Sequence, residues 1–220
     1  VDMGELLKRM EELRNQEETE TRTANKNWLE GRCTHNTIAV LDDWVRKLKF
    51  HGDTVALGTY RGDVFLSGME RPDTVWAKLE GHTDEVTALD FDGAHLASGS
   101  LDASVRVWKG IPLTMSPEGY SEHGEDDSLV FHHRAEVTGV HLAGGQLVSS
   151  SVDGTCKIWN LAANMCEQIV EVGEPVTCCA CSPETVPDGS SRYLAIGTAS
   201  GAVTIYSMDT WKPVMSFAGH

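Results

Sequence analysis

The sequence predicts an all-β fold, a β-propeller with four blades present, preceded by a short N-terminal α-helix. Two observations carry this. Val86–Trp108 reads VTALDFDGAHLASGSLDASVRVW, Val137–Trp159 reads VTGVHLAGGQLVSSSVDGTCKIW, and the two align without a gap. Val45–Ser67, VRKLKFHGDTVALGTYRGDVFLS, aligns in the same way, and a fourth copy opens at Val176 and resumes at Leu194 after an insertion around SPETVPDGSS. Self-similarity at a spacing of about 40–50 residues marks a repeat architecture. The second observation is the content of each copy: short β-like runs separated by turn residues. Four antiparallel strands per copy, repeated, make propeller blades.

The elements follow in order. Residues 4–20, GELLKRMEELRNQEETE, put Leu6, Leu7, Met10 and Leu13 on one helical face. Residues 1–24 are therefore read as an amphipathic helix with an acidic linker, and residues 25–40 as the connection into the propeller. The blades then run over about 41–82, 83–133, 134–173 and 174–219. In each, a first run such as VTALDF alternates, and a tight turn follows at Asp92–Gly93 or Gly144–Gly145. The second run is HLASGS or QLVSSS, and the third is VRVW or CKIW. Fourth runs are TVWAKL, SLVFHH, CEQIVEV and PVMSFAG. Lys109–Ser128 reads as a long polar loop between the third and fourth strands of the second blade, with Ser116 before Pro117 as a modification candidate. The closing Gly219–His220 repeats the Gly81–His82 that introduces the second copy. The expectation is a fragment carrying four blades of a ring of seven or eight.

Composition narrows the function. Apolar residues make up 40% of the 220 and charged residues 23%, enough for a sizeable core. No apolar run approaches the roughly 18 residues of a membrane span, and the N-terminus lacks a signal peptide's apolar segment. The expected location is cytoplasmic, nuclear or both, with no membrane partner. A net charge of −15 argues against nucleic acid and favours basic partners. The six cysteines are Cys33, Cys156, Cys166, Cys178, Cys179 and Cys181; TCCACS supplies one crowded cluster and no second pair, so they read as small apolar residues rather than a zinc site. His123, His132 and His141 have no metal-binding spacing. Without a Gly-rich phosphate loop or a nucleophile elbow, no enzyme and no cofactor are expected.

The copies resemble WD repeats. In that family a His before the blade, a Ser or Thr on the second strand, an Asp in the next turn and a Trp on the third strand hydrogen-bond together. The resemblance assigns these places to His82, Ser98, Asp102 and Trp108 in the second copy, and to His133, Ser149, Asp153 and Trp159 in the third. The fourth copy has Ile196, Ser200 and Tyr206 at the last three places, and the first has Leu41, Leu57, Arg61 and Ser67. A carboxylate in such a set needs several donors once buried, so the His and Asp are structural rather than catalytic.

The resemblance also implies a binding mouth. Its residues before the turn Asp are Tyr60, Leu101, Val152 and Ala199. Those before the first strand are Trp44, Glu85, Glu136 and Pro175, flanked by Asp84 and Glu174. Only Arg61 and Arg134 stand near, too few for a phosphopeptide reader, so an apolar or basic peptide is the expected ligand. Asn27, Trp28, Gly31 and Arg32 resemble the segment that joins F-box to propeller in F-box/WD-repeat proteins. That likeness implies the substrate-recognition part of a ubiquitin ligase, with the F-box adaptor and cullin as partners if an F-box lies upstream. The alternative is a general scaffold or assembly subunit unrelated to ubiquitin.

Overall fold

The computed structural model describes residues 41–69, 75–109, 120–124, 127–143, 145–182 and 192–218, all within one compact unit, Ile38–His220. The expected helix at 4–20 and the 25–40 segment lie outside the described residues. Among the described residues seventeen strands make four sheets. The first blade is β1 (Val45–His51), β2 (Thr54–Thr59), β3 (Val64–Gly68) and β4 (Val75–Leu79), with β8 (Ser121–His123) added at its edge. The second is β5 (Val86–Phe91), β6 (Leu96–Ser100), β7 (Ser104–Trp108) and β9 (Ser128–His132). The third is β10 (Val137–Ala143), β11 (Gln146–Ser151), β12 (Thr155–Asn160) and β13 (Met165–Glu171). The fourth is β14 (Val176–Cys181), β15 (Tyr193–Thr198), β16 (Val203–Ser207) and β17 (Pro213–Phe217). Neighbouring strands in the order β1 to β4 and its counterparts pair antiparallel.

The blades pack face to face, and the core lies between them. Leu66, Trp76, Leu79, Val86, Leu96 and Trp108 fill the first interface. Val105, Val107, Phe131, Val137, Leu147 and Trp159 fill the second, and Ile158, Val170, Val176, Leu194 and Ile196 the third. A middle strand buried on both faces must be thin, which explains the small residues of LASGS. A Cβ at Gly58 of β2 would stand 2.6 Å from Val86 Cγ1 of the next blade.

Each innermost strand carries the same β-bulge, after Val45, Val86, Val137 and Val176. The displaced residue is Arg46, Thr87, Thr138 or Thr177. Thr87 Oγ1 donates to the Val137 carbonyl at 2.5 Å and Thr138 Oγ1 to the Val176 carbonyl at 2.9 Å, so the bulge ties one blade to the next. Further along these strands, Lys49 Nζ meets Asp90 Oδ1 at 2.8 Å, and Asp90 Oδ2 accepts the Leu142 amide at 2.7 Å. His141 Nε2 lies 2.7 Å from the Cys179 carbonyl. The innermost strands of all four blades are thus joined by polar contacts.

Two features depart from the expectation. The Asp92–Gly93 connection spans four residues, because Asp92 Oδ1 accepts the amides of Ala94 (2.8 Å) and His95 (2.7 Å) and widens the turn. The excursion after the second blade's third strand is more than a loop: its Ser121–His123 segment runs parallel to β4 on the first blade. The Ala77↔Ser121, Lys78↔Glu122 and Leu79↔His123 register, with the Glu80 amide donating to the His123 carbonyl at 2.9 Å, satisfies an edge that would otherwise be bare. Ser116 lies outside the described residues.

Candidate interaction surface

The second blade brings His82, Ser98, Asp102 and Trp108 into one network. The Trp108 indole N–H donates to Ser98 Oγ at 2.9 Å. Ser98 Oγ lies 2.7 Å from His82 Nε2, and His82 Nδ1 lies 3.1 Å from Asp102 Oδ2. Since the indole can only donate, the serine hydroxyl donates its hydrogen bond to Nε2, and the imidazole N–H is assigned to Nδ1, toward the carboxylate. Asp102 also accepts the Thr83 amide (3.0 Å) and the Ser104 amide (2.8 Å) and hydroxyl (2.6 Å).

The third blade repeats the network. Trp159 Nε1 donates to Ser149 Oγ at 2.8 Å, Ser149 Oγ is 2.7 Å from His133 Nε2, and His133 Nδ1 is 3.1 Å from Asp153 Oδ2. The Arg134 amide (2.9 Å) and the Thr155 amide (2.9 Å) and hydroxyl (2.6 Å) complete the carboxylate's partners. Burial by itself would raise the Asp153 carboxyl; the Arg134 amide, the Thr155 hydroxyl and His133 outweigh it and hold the group at about 2. Asp102 is lowered further, its burial outweighed by His82, Ser104 and the Thr83 amide. Burial depresses His133, against the pull of Asp153, which suits a neutral imidazole at this place.

The outer blades lack the set and tie the same turn from the opposite side. In the first, Asp43 Oδ2 accepts the Arg61 amide at 2.8 Å, while Leu57 fills the place of the serine, buried. In the fourth, Ser200 Oγ donates to Glu174 Oε1 at 3.0 Å, and buried Ile196 stands where Ser149 does. The sequence reading missed Asp43; the signal was an Asp two places before the first strand where the turn Asp is absent.

One backbone hydrogen bond recurs in every blade and sets the rim. Tyr60 N donates to Trp44 O (3.1 Å), Leu101 N to Glu85 O (3.0 Å), Val152 N to Glu136 O (3.1 Å) and Ala199 N to Pro175 O (3.0 Å). The structure therefore places the eight aligned residues as four pairs. Trp44 is 78% exposed and Tyr60 43% exposed, their rings edge-to-face at 5.9 Å. Leu101 and Val152 are half-buried; Arg61, Asp84, Arg134 and Glu136 are exposed. Glu85 is half-buried and ion-paired with Arg46, whose guanidinium carbon lies 5.8 Å from the centre of the Tyr60 ring. Arg46 was not foreseen as a rim residue, although it alone breaks the Thr of the other bulges.

Among the described residues no group of three or more His, Cys, Asp or Glu could hold a metal. The described cysteines, Cys156, Cys166, Cys178, Cys179 and Cys181, are free. Burial pushes the Cys179 thiol up to about 12 and Cys181 to about 11.

Residues 74–109 and 127–160 match the family model described as WD domain, G-beta repeat. Curated relatives named "Mitochondrial division protein 1" include that of Pyricularia oryzae, 26% identical over 80% of this chain and 35% of its own length. That of Schizosaccharomyces pombe is 24% identical over 93% of this chain and 35% of its own. The chain thus spans about a third of the length of these relatives. Similar solved structures include the WD40 β-propeller domain of Doa1 (TM-score 0.66, 16% identity, 84% of this chain and 58% of that one). Another is the computationally designed Ika8 protein (TM-score 0.63, 23% identity, 83% and 52%). These two support the fold alone.

The names of the relatives correct one expectation. A cytoplasmic or nuclear location was read from missing apolar segments, yet the curated relatives are named for mitochondrial division. The physical reason is simple: lacking a helix that could cross a bilayer says nothing about the surface on which a protein works. Among the described residues no helix is long and apolar enough to cross a membrane. The F-box likeness also finds no counterpart among these relatives. With its four sheets and two intact hydrogen-bonded sets, this chain has a WD40-type β-propeller fold, and two of its blades match the WD40 repeat model.

Proposed function

We propose that the chain is a scaffold or assembly subunit whose rim holds other proteins, in work related to mitochondrial division. The observation that carries it is the recurring backbone bond from turn to entry residue. It fixes the same pair of positions in each blade while leaving their side chains free to differ: Trp44–Tyr60, Glu85–Leu101, Glu136–Val152, Pro175–Ala199. Rigid positions with varied, exposed side chains suit recognition of a partner. Relatives named for mitochondrial division supply the setting. An apolar or basic segment is the partner that fits, since Asp42, Asp84 and Glu136 are exposed on the entry loops of the first three blades.

The ubiquitin-ligase reading is the weaker one. It rests on Asn27, Trp28, Gly31 and Arg32, and no described residue bears on an adaptor or cullin. The test is proximity labelling in cells, comparing the wild-type chain with Trp44→Ala/Tyr60→Ala/Glu136→Lys. The expected result is a mitochondria-associated protein set that the triple variant loses while its melting temperature is kept. An unchanged set refutes the rim; a set dominated by cullin and its adaptor restores the ligase reading.

A further inference from the structure

Arg46 occupies a place that three other copies give to threonine, and it makes contacts unlike theirs. Thr87 and Thr138 each reach a carbonyl of the next blade. Arg46 instead lays its guanidinium toward the Tyr60 ring, 5.8 Å from its centre, and pairs with Glu85 of the second blade. An aromatic face with a carboxylate beside it is a receptor for a cation. Trp44, edge-to-face with Tyr60 and largely exposed, walls the same place.

We propose that Tyr60, Glu85 and Trp44 form an arginine-binding slot for a partner peptide, and that Arg46 is its resident stand-in. This rests on the reading that the rim meets a protein, and adds the class of side chain it takes. Three features favour a guanidinium from outside. Arg46 is about half exposed, so it leaves the slot without breaking a core. Glu85 is half-buried, with its side chain only 13% exposed, and needs a cation to replace the one that leaves. The surroundings stay acidic: Asp42, Asp43 and Asp84 lie on the same loops, against Arg61 as the other nearby cation. A basic peptide is drawn to such a rim, and an acidic one is repelled.

The experiment uses the full 220-residue chain and two fluorescein-labelled peptides of sequence GSLRLSG, one with arginine and one with the uncharged isostere citrulline in its place. Anisotropy titrations at low salt are made for wild type, Arg46→Met, Trp44→Ala and Glu85→Gln. Arg46→Met keeps an apolar stem and vacates the guanidinium place. Its affinity for the arginine peptide is expected to rise about tenfold over wild type, and Glu85→Gln or Trp44→Ala to abolish the preference for arginine over citrulline. Equal binding of the two peptides by wild type and Arg46→Met overturns the proposal. So does a lower melting temperature of Arg46→Met with no gain in binding, which makes Arg46 a strut between blades. Equal binding of the two peptides by wild type, with the partner set still lost in the rim triple variant, refutes the slot alone, whereas an unchanged set in the triple variant refutes the scaffold reading itself.

Discussion

Ser149→Ala is the substitution whose cost can be worked most directly from the structure. Ser149 is fully buried, and its hydroxyl accepts from Trp159 Nε1 at 2.8 Å while donating to His133 Nε2 at 2.7 Å. Alanine fills nearly the same space, so little cavity forms. What changes is that an indole N–H and an imidazole nitrogen lose their partner together at a fully buried position. Each orphaned buried group costs about 1–3 kcal/mol, so the pair costs roughly 3 kcal/mol. For a domain with a total stability of about 5–15 kcal/mol that is a large fraction, and it lowers the melting temperature by about 6–12 °C at this size. The assay is thermal unfolding followed by tryptophan fluorescence and circular dichroism at pH 7. A second variant sharpens it. Trp159→Phe removes the orphaned donor as well, so Ser149→Ala/Trp159→Phe should lose less than the sum of the two single losses, by about 1 kcal/mol. A melting shift under 2 °C for Ser149→Ala, or strict additivity of the pair, refutes the argument that the network holds the blade.

Three further outcomes are expected. Asp153 titrates near 2 in the folded chain, below an ordinary carboxyl near 4, so its stabilising contribution is full above about pH 4 and is lost as the pH falls through about 2; in acid melts the gap between wild type and Asp153→Asn should therefore close from pH 5 to pH 2. Gly58→Ala places a methyl 2.6 Å from Val86 Cγ1 and should cost about 1–3 kcal/mol in urea unfolding, partly recovered by Val86→Ala, which opens the space. Iodoacetamide on the native chain at pH 7.5 should label exposed Cys178 first among the described cysteines, leaving Cys179 and Cys156, both buried with raised thiol pKa values, unmodified by peptide mass spectrometry until the chain is denatured.

The blades were legible because their constraints are local and repeat. A middle strand buried on both faces demands small and branched residues at fixed places, and four copies of that demand are hard to mistake. The His82 and His133 networks were legible for the same reason: four residue types at fixed spacing, twice. The substitutes were not. A turn amide or hydroxyl can donate to a carboxylate on either side of it, so Asp43 and Glu174 can do from the entry loop what Asp102 and Asp153 do from the turn, and single-copy spacing does not reveal the exchange. Leu57 and Ile196 show the companion change, an apolar residue where a serine would need partners. The pairing of β8 with β4 was hidden because it joins residues of different blades by backbone bonds that any side chain permits. Arg46 was hidden because its partner Glu85 belongs to the next copy, and alignment compares copies without showing how they touch.

The parallel strand Ser121–His123 has a consequence for how the chain is made. The outer edge of the first blade is finished by residues that leave the ribosome 44 positions after Leu79, counting to His123. At about 5–20 residues per second, that edge waits roughly 2–9 s for its own partner while the second blade is still being translated. During that interval the backbone of Ala77, Lys78 and Leu79 is open to any extended segment nearby, including one on a neighbouring nascent chain. Synonymous codons that slow translation between positions 80 and 123 lengthen the exposure and should raise the aggregated fraction, though the finished protein is unchanged in every residue.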